Sequence, residues 1–287
     1  MGAIFRHELR NYFHSLTAYV FGAFLLAVVG LGSVLYNLQA AVSNFEFVLS
    51  FASIIFVVIV PILTMRTLAE ERRQRTDQLL YSLPITTTQV VLGKYLALLV
   101  VYLILLAVIS LYPLLFSRFG DVYLPTSYGS LFAFFMMGAA LLAVGMFLSS
   151  LTDNQGFAAG IGIAAILLNY YSVSLAEYTS STAMGSLIAL YVIALLLGVV
   201  IRGLTRNENL AYGVTFVLIA ALSVAYFVNS SAFEGLLPDI MTKLSLFRQF
   251  NSFVNGAFDL TAIVYYVSVM GFFLFLSVQS LEKRRYN

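Results

Sequence analysis

Charged and hydroxyl-bearing residues are concentrated in the segment Arg66–Lys94 of a 287-residue chain that is only 10% charged. The segment ends in Gly93-Lys94, a dipeptide that also ends loops binding nucleotide phosphates. Such a loop has a glycine five residues before that Gly and a Ser or Thr after the Lys. This chain has Thr88 and Tyr95 at those positions. It therefore does not bind ATP by this route, and ATP-driven work would need a separate subunit.

Side chains that commonly take part in catalysis are few in this chain. His7 and His14 are the only histidines, and the chain has no cysteine. We find no H-E-x-x-H or G-x-S-x-G motif and no metal-ligating cluster, so we expect a chain that is not an enzyme and holds no metal or cofactor. The 15 basic and 13 acidic residues lie outside the apolar stretches or at their ends. This argues against a carrier with an intramembrane carboxylate.

Eight apolar stretches flank these residues, each long enough to cross a bilayer as a helix. With 61% hydrophobic residues, the chain is predicted to be an all-α polytopic membrane protein, with residues 1–287 forming one transmembrane domain. The stretches are continuous rather than alternating, which favours helices over barrel strands. The fifth and sixth are short, and a re-entrant hairpin there would reduce the spans to six. The stretches are Ala18–Tyr36, Phe47–Met65, Tyr95–Phe116, Ser130–Leu148, Phe157–Ser174, Met184–Val200, Ala211–Val228 and Leu260–Val278.

The distribution of Arg and Lys predicts the orientation. With the N-terminus inside, only Arg118, Lys243 and Arg248 of the 15 basic residues face outward. This bias predicts that both termini lie in the cytoplasm, and we expect the chain in the cell membrane of a prokaryote.

The segment Arg66–Lys94 is predicted to form two short helices with an elbow at Pro84. The charged run Glu70–Asp77 extends the second span, and Thr86 with Gln89 is a capping pattern for the next helix. Lys94 is placed to reach the headgroups. A long loop that only solvates two helix ends is the alternative. We favour a docking surface for a cytosolic partner, because a simple turn needs only a few residues.

Two amphipathic helices are predicted outside the spans. Residues 1–16 place one apolar stripe on a single helical face, which indicates a helix in the inner membrane interface rather than a frayed leader. The stripe is Phe5, Leu9, Tyr12, Phe13 and Leu16. The outer loop, residues 229–259, repeats apolar residues at helical spacing at Ile240, Leu244, Phe247 and Phe250.

A short repeat, L-T-x-N-[QE]-x-x-A-x-G, occurs at Leu151–Gly160 and Leu204–Gly213. Each copy opens a span on the predicted inner side, and its Thr or Asn can cap the free amides of that helix. Two turns that converged on capping chemistry would look the same. The alternative is a second docking element.

These residues together resemble the permease subunits of type-2 ABC exporters, and most closely the gliding-motility-type permeases. The most specific part is Leu68–Ala97, which carries E-E-R, T-x-x-L-L, S-L-P and G-K between the second and third spans. The leader and Phe147–Gln155 extend the resemblance. Two features depart from it: Arg75-Thr76-Asp77-Gln78 stands where many members have Gly-Thr-Leu-Glu, and an additional helix pair lies around Asn169–Gly203, where members usually have six spans in all.

The resemblance implies a partner ATPase dimer that binds ATP and Mg²⁺ and a second permease subunit, and it leaves room for an accessory extracytoplasmic membrane protein. ATP binding would push on docking helices, and two permeases would alternate between inward and outward states. Reversal of Arg72 and Arg73 is expected to weaken ATPase association. The implied docking residues are Glu70, Glu71, Arg72, Arg73, Arg75, Thr76, Leu79, Leu80, Leu83, Pro84, Thr152, Asp153, Asn154 and Gln155, with a second set at Thr205, Arg206, Asn207 and Glu208.

Two other functions remain open from the sequence. A stand-alone secondary carrier would transport without an ATPase. A non-transporting membrane anchor of an envelope machine would bind partners without substrate flux. Neither composition nor motifs identify a substrate.

Overall fold

The computed structural model describes residues 1–74, 85–205 and 207–285, and these residues form helices and no strand. The helices are α1 (Gly2–His14), α2 (Leu16–Gly32), a π-helical segment (Ser33–Gln39), α3 (Phe45–Ser53), α4 (Phe56–Thr64), α5 (Ala69–Gln74), α6 (Thr87–Ile109), α7 (Leu111–Phe116), α8 (Leu124–Ser150), α9 (Gln155–Tyr178), α10 (Ala183–Thr205), α11 (Glu208–Val228), a 3₁₀ turn (Ser230–Phe233), α12 (Leu236–Lys243), α13 (Leu246–Val254) and α14 (Leu260–Arg285).

Within the described residues, six helices are long and apolar enough to cross a membrane. Each of the eight apolar stretches is helical, but the second is a bent pair, and the sixth lies in α10 (Ala183–Thr205), whose described apolar part is Ala183–Val199. The expected weak point at the fifth stretch is wrong, because α9 is a continuous helix of 24 residues. The six helices are Leu16–Gln39, Thr87–Phe116, Leu124–Ser150, Gln155–Tyr178, Glu208–Val228 and Leu260–Lys283.

The second stretch breaks at Ile54–Ile55, where α3 and α4 meet at 59°. Tighter i→i−3 hydrogen bonds surround the break, including Val57 N to Ile54 O at 3.1 Å. Pro61 in α4 has no N–H to donate to the carbonyl of Val57, which weakens the helix just after the bend.

Residues 1–170 and 249–287 form one compact unit. Its most buried candidate span is α8, which packs against α3, α4, α6 and α14. Two tyrosines of α6 donate hydrogen bonds to α8 carbonyls, Tyr95 to Ala139 O at 2.9 Å and Tyr102 to Phe134 O at 2.8 Å. Gly138 admits the Tyr102 ring, because a Cβ at Gly138 would lie 2.6 Å from ring carbons.

Residues 171–248 form a second compact unit, in which α10 and α11 pack together. The hydroxyls of Tyr191 and Ser223 join them at 2.7 Å. The outer loop contains two helices rather than one, with the break at Leu244. Ser245 Oγ accepts from Arg248 N at 3.3 Å, which caps α13 and explains the separate start.

Candidate functional site at the α5 junction

Helix α5 contains the first of the predicted docking residues and starts after a turn at Met65–Leu68. The sequence predicted that the charged run extends the second span directly. This prediction is wrong for the described part of the run, because the turn at Met65–Leu68 separates it from the span. Ser149 of α8 explains the interruption. Its Oγ accepts from Leu68 N at 3.3 Å and Ala69 N at 3.2 Å, and it donates to Met65 O at 3.2 Å. One hydroxyl thus supplies an acceptor for amides that the start of α5 leaves free.

Lys94 joins three helices at this place. Its Nζ lies 2.6 Å from Glu8 Oε1 of α1 and 2.7 Å from Glu71 Oε1 of α5. The Lys94 side chain is only 2% exposed. The prediction that it extends to the headgroups is therefore wrong. Charge-assisted hydrogen bonds of this length are among the strongest in proteins. Because the group is buried, loss of one member would leave the others without compensation.

Arg72 extends the same junction to the end of α8 and to α14. Its side chain is 4% exposed, with Nη1 3.8 Å from Asp153 Oδ1. Its Nη2 donates to Ser280 Oγ at 3.5 Å, and Ser280 Oγ donates to Ser150 O at 3.1 Å. We call the set Glu8, Glu71, Arg72, Lys94, Ser149, Asp153 and Ser280 the α5 junction. It connects α5 to four other parts of the first unit.

The predicted docking residues differ in their accessibility. Arg72 is buried and Arg73 is exposed, while Glu70 and Glu71 are half-buried. Of the two arginines, only Arg73 can therefore be replaced to test a surface contact without disturbing the interior. Six of the predicted residues, Arg75, Thr76, Leu79, Leu80, Leu83 and Pro84, lie outside the described residues, as does Arg206.

The repeat supplies helix caps in both copies. Asn154 Oδ1 accepts from Gly156 N at 2.9 Å and from Phe157 N at 3.3 Å, and Asn154 N donates to Thr152 Oγ1 at 3.2 Å. Asn207 Oδ1 accepts from Leu210 N at 3.1 Å. The predicted capping role is thus confirmed. The two copies differ otherwise.

In the first copy, Thr152 and Gln155 are half-buried, while Asp153 and Asn154 are exposed. Asp153 approaches the buried Arg72. In the second copy, Glu208 pairs with the exposed Arg202 of the preceding helix. Thr205 is the last residue of α10. The first copy is thus tied to α5, and the second to its own helix pair.

The leader helix exists, and its apolar stripe points partly into the protein. Tyr12 is buried, Phe5 and Leu9 are half-buried, and Phe13 is exposed. Burial raises the pKa of the Tyr12 hydroxyl well above its ordinary value, and the nearby Glu8 carboxylate adds to this. Tyr12 therefore stays neutral. The helix packs on α6 and α2, and its position in a membrane interface stays a prediction.

Sequence reasoning missed several members of the site. Glu8, Ser149 and Ser280 gave no local signal, and the hydrogen bond from Thr87 Oγ1 to Glu282 Oε1 at 2.8 Å joins α6 to α14 across a long stretch of chain. The one usable signal was Lys94 itself, a cation inside an otherwise apolar helix. In the described part of the chain, no group of three or more His, Cys, Asp or Glu residues is placed to hold a metal.

The profile of the ABC-2 family transporter proteins matches residues 31–176, just over half of the chain. No curated protein and no solved structure matches it. The fold and the family match together define a multi-pass membrane protein that serves as a transport component. The chain belongs to the ABC-2 transporter family, whose members normally work with an ATPase subunit.

Proposed function

We propose that this chain is the permease subunit of an ATP-driven exporter of the gliding-motility-type branch. A separate ATPase dimer binds ATP and Mg²⁺ and drives it, and a second permease subunit completes the pathway. Both termini face the cytoplasm, and the chain crosses the cell membrane eight times. The segment 66–94 and the turn Thr152–Gln155 receive the ATPase, with a possible further contact at Thr205–Glu208.

The α5 junction is the observation that supports this proposal most. A short charged helix needs no partner to end a membrane span, yet α5 is joined to α1 and α6 through Lys94. It is joined to α8 through Ser149 and to α14 through Arg72. A displacement of α5 would therefore reach four helices at once. ATP can shift the equilibrium between the inward and outward states of such a permease only to the extent that the ATPase binds these two states with different affinity.

Arg73 is the accessible charge at which docking is testable. The chain would be purified in gentle detergent, the co-purifying proteins identified, and ATP hydrolysis measured. We expect a stoichiometric ATPase with the wild type. Arg73→Glu should reduce its recovery at least fivefold without changing the thermal stability of the chain. Arg118→Glu, an exposed arginine at the predicted outer end, is the matched control.

Two outcomes would contradict the proposal. Full recovery of the ATPase with Arg73→Glu would remove Arg73 from the docking surface. Purification of the wild-type chain alone, where a known ABC complex stays intact, would favour the stand-alone carrier if the chain transports and the membrane anchor if it does not.

A further inference from the structure

The connection between the first two apolar stretches has an unusual backbone. The first span ends in the π-helical segment Ser33–Gln39, and the connection after it contains Ala41 at φ 52°. Among the described residues, Ala41 is the only one other than glycine with a positive φ. Backbone of both kinds is uncommon and is found preferentially at functional sites. The connection is therefore a place to look for a ligand.

A buried carboxylate follows directly. Glu46, in the first turn of α3, is 1% exposed. Its Oε1 accepts from Ser127 Oγ of α8 at 3.2 Å, whereas its Oε2 is buried and accepts no hydrogen bond from the described residues. Asn37 is similar: its Nδ2 donates to Val42 O at 2.7 Å, and its Oδ1 is buried without a donor from the same residues. Both orphaned atoms are acceptors.

No basic side chain on the neighbouring helices balances Glu46. Helix α3 packs on α2, the π-helical segment and α8, and none of these four elements contains Lys, Arg or His. Arg118, just beyond α7, is exposed. The free amides at the start of α3 favour a negative charge at Glu46, but they offset only part of a full carboxylate charge. An ionised carboxylate in this setting needs a positively charged donor.

We propose that Glu46 binds the ammonium group of a primary amine carried by this transporter. An ammonium group offers three N–H donors and a full positive charge. It would therefore supply the charged donor that Oε2 of Glu46 does not have among the described residues. A hard metal ion would need six or more oxygens. Phe45 precedes Glu46 in the chain, and its ring lies 6.0 Å from that of Tyr112 and 6.4 Å from that of Phe116. These aromatic rings suit an amine with an aromatic tail.

This inference rests on the proposed transport function, because the amine is taken to be the substrate. Glu46 is buried in the conformation described, so the amine enters and leaves in another one. The 59° break between α3 and α4 and the π-helical segment flank Glu46 on either side. Both are irregular in their backbone, so a second conformation there would cost fewer regular hydrogen bonds than one inside a continuous α-helix.

Binding of radiolabelled 2-phenylethylamine to the full chain in lipid nanodiscs tests the proposal, with empty nanodiscs subtracted. We expect saturable binding that neither neutral 2-phenylethanol nor the trimethylated amine, which lacks N–H donors, displaces. Glu46→Gln should raise the dissociation constant at least tenfold. Glu234→Gln, at an exposed carboxylate, should leave it unchanged. Ser127→Ala keeps the charge and removes a competing donor, so binding should be equal or tighter.

The proposal is overturned if the wild type shows no saturable binding, if Glu46→Gln binds as well as the wild type, or if 2-phenylethanol displaces the amine. If Glu46→Gln does not fold, weaker binding by a folded Ser127→Ala overturns it. The assay contains no ATPase, so a failure here leaves the ATPase co-purification result standing. Amine binding without an associated ATPase would instead indicate a carrier that works alone.

Discussion

Lys94 places one ammonium group between the carboxylates of Glu8 and Glu71 in the interior of the first unit. Replacing it by methionine would keep most of the side-chain volume and leave two carboxylates without their partner. Removal of one member of a buried ion pair typically costs about 3–5 kcal/mol. We predict that Lys94→Met lowers the temperature of thermal inactivation in detergent by many degrees.

Lys243 provides the control for this substitution. It pairs with Asp239 at 2.7 Å, but its side chain is 70% exposed. Exposed pairs contribute at most about 1 kcal/mol, so Lys243→Met should barely change the inactivation temperature. Equal effects of the two substitutions would show that the Lys94 group does not stabilise the chain.

Local chemistry was predictable at the residue scale, and long-range pairing was not. Thr86 accepts from Gln89 N at 3.3 Å, as its sequence pattern predicted, because a cap and its helix are adjacent in the chain. The partners of Lys94 come from α1 and α5, far away in sequence. A lysine at a span end satisfies its charge equally well in the headgroups, so the sequence alone favoured the wrong environment.

At the scale of elements, the contact between α6 and α8 depends on Gly138. A methyl group there would meet the Tyr102 ring at 2.6 Å. We predict that Gly138→Ala destabilises the chain by about 1–3 kcal/mol through overpacking, measured as a lower inactivation temperature. In Gly160→Ala the added methyl has no neighbour within 4 Å, so stability should not fall. An unchanged inactivation temperature in Gly138→Ala would mean that α6 and α8 move apart at little cost to accommodate the methyl group.

Helices were predicted well as elements, since long apolar stretches have few alternatives in a membrane. Their interruptions were not. Pro61 stands inside an apolar stretch that is otherwise continuous, and proline is tolerated in membrane helices when other groups satisfy the freed backbone. The interruption before α5 depends on Ser149 of another helix. Such breaks follow from packing, which hydropathy does not describe.

At the scale of the molecule, the family was recognisable from Leu68–Ala97, whereas the division into two compact units was not. The number of crossings depends on whether α10 spans the membrane, and its described apolar part is Ala183–Val199. If α10 crosses, the residues before and after it lie on opposite sides. We predict that Tyr178→Cys, at an 89% exposed position, is labelled by an impermeant maleimide from outside and Asn209→Cys only from inside.

The chain has no native cysteine, so each label reports one position. Phe119→Cys and Arg10→Cys serve as references for the predicted outer and inner sides. Labelling of Tyr178→Cys and Asn209→Cys from the same side would show that α10 does not cross, and the eight-span topology would be wrong.

We propose that α5 receives the force of an ATPase, and cross-linking in native membranes would detect that contact. Arg73→Cys would be coupled to a benzophenone maleimide, irradiated, and the cross-linked protein identified by mass spectrometry, with Phe119→Cys as the control from the predicted outer end. We expect a P-loop ATPase to be cross-linked at position 73 and not at position 119, in a yield that changes with ATP. An efficient cross-link from position 73 only to lipid or to this chain itself would show that α5 does not contact an ATPase.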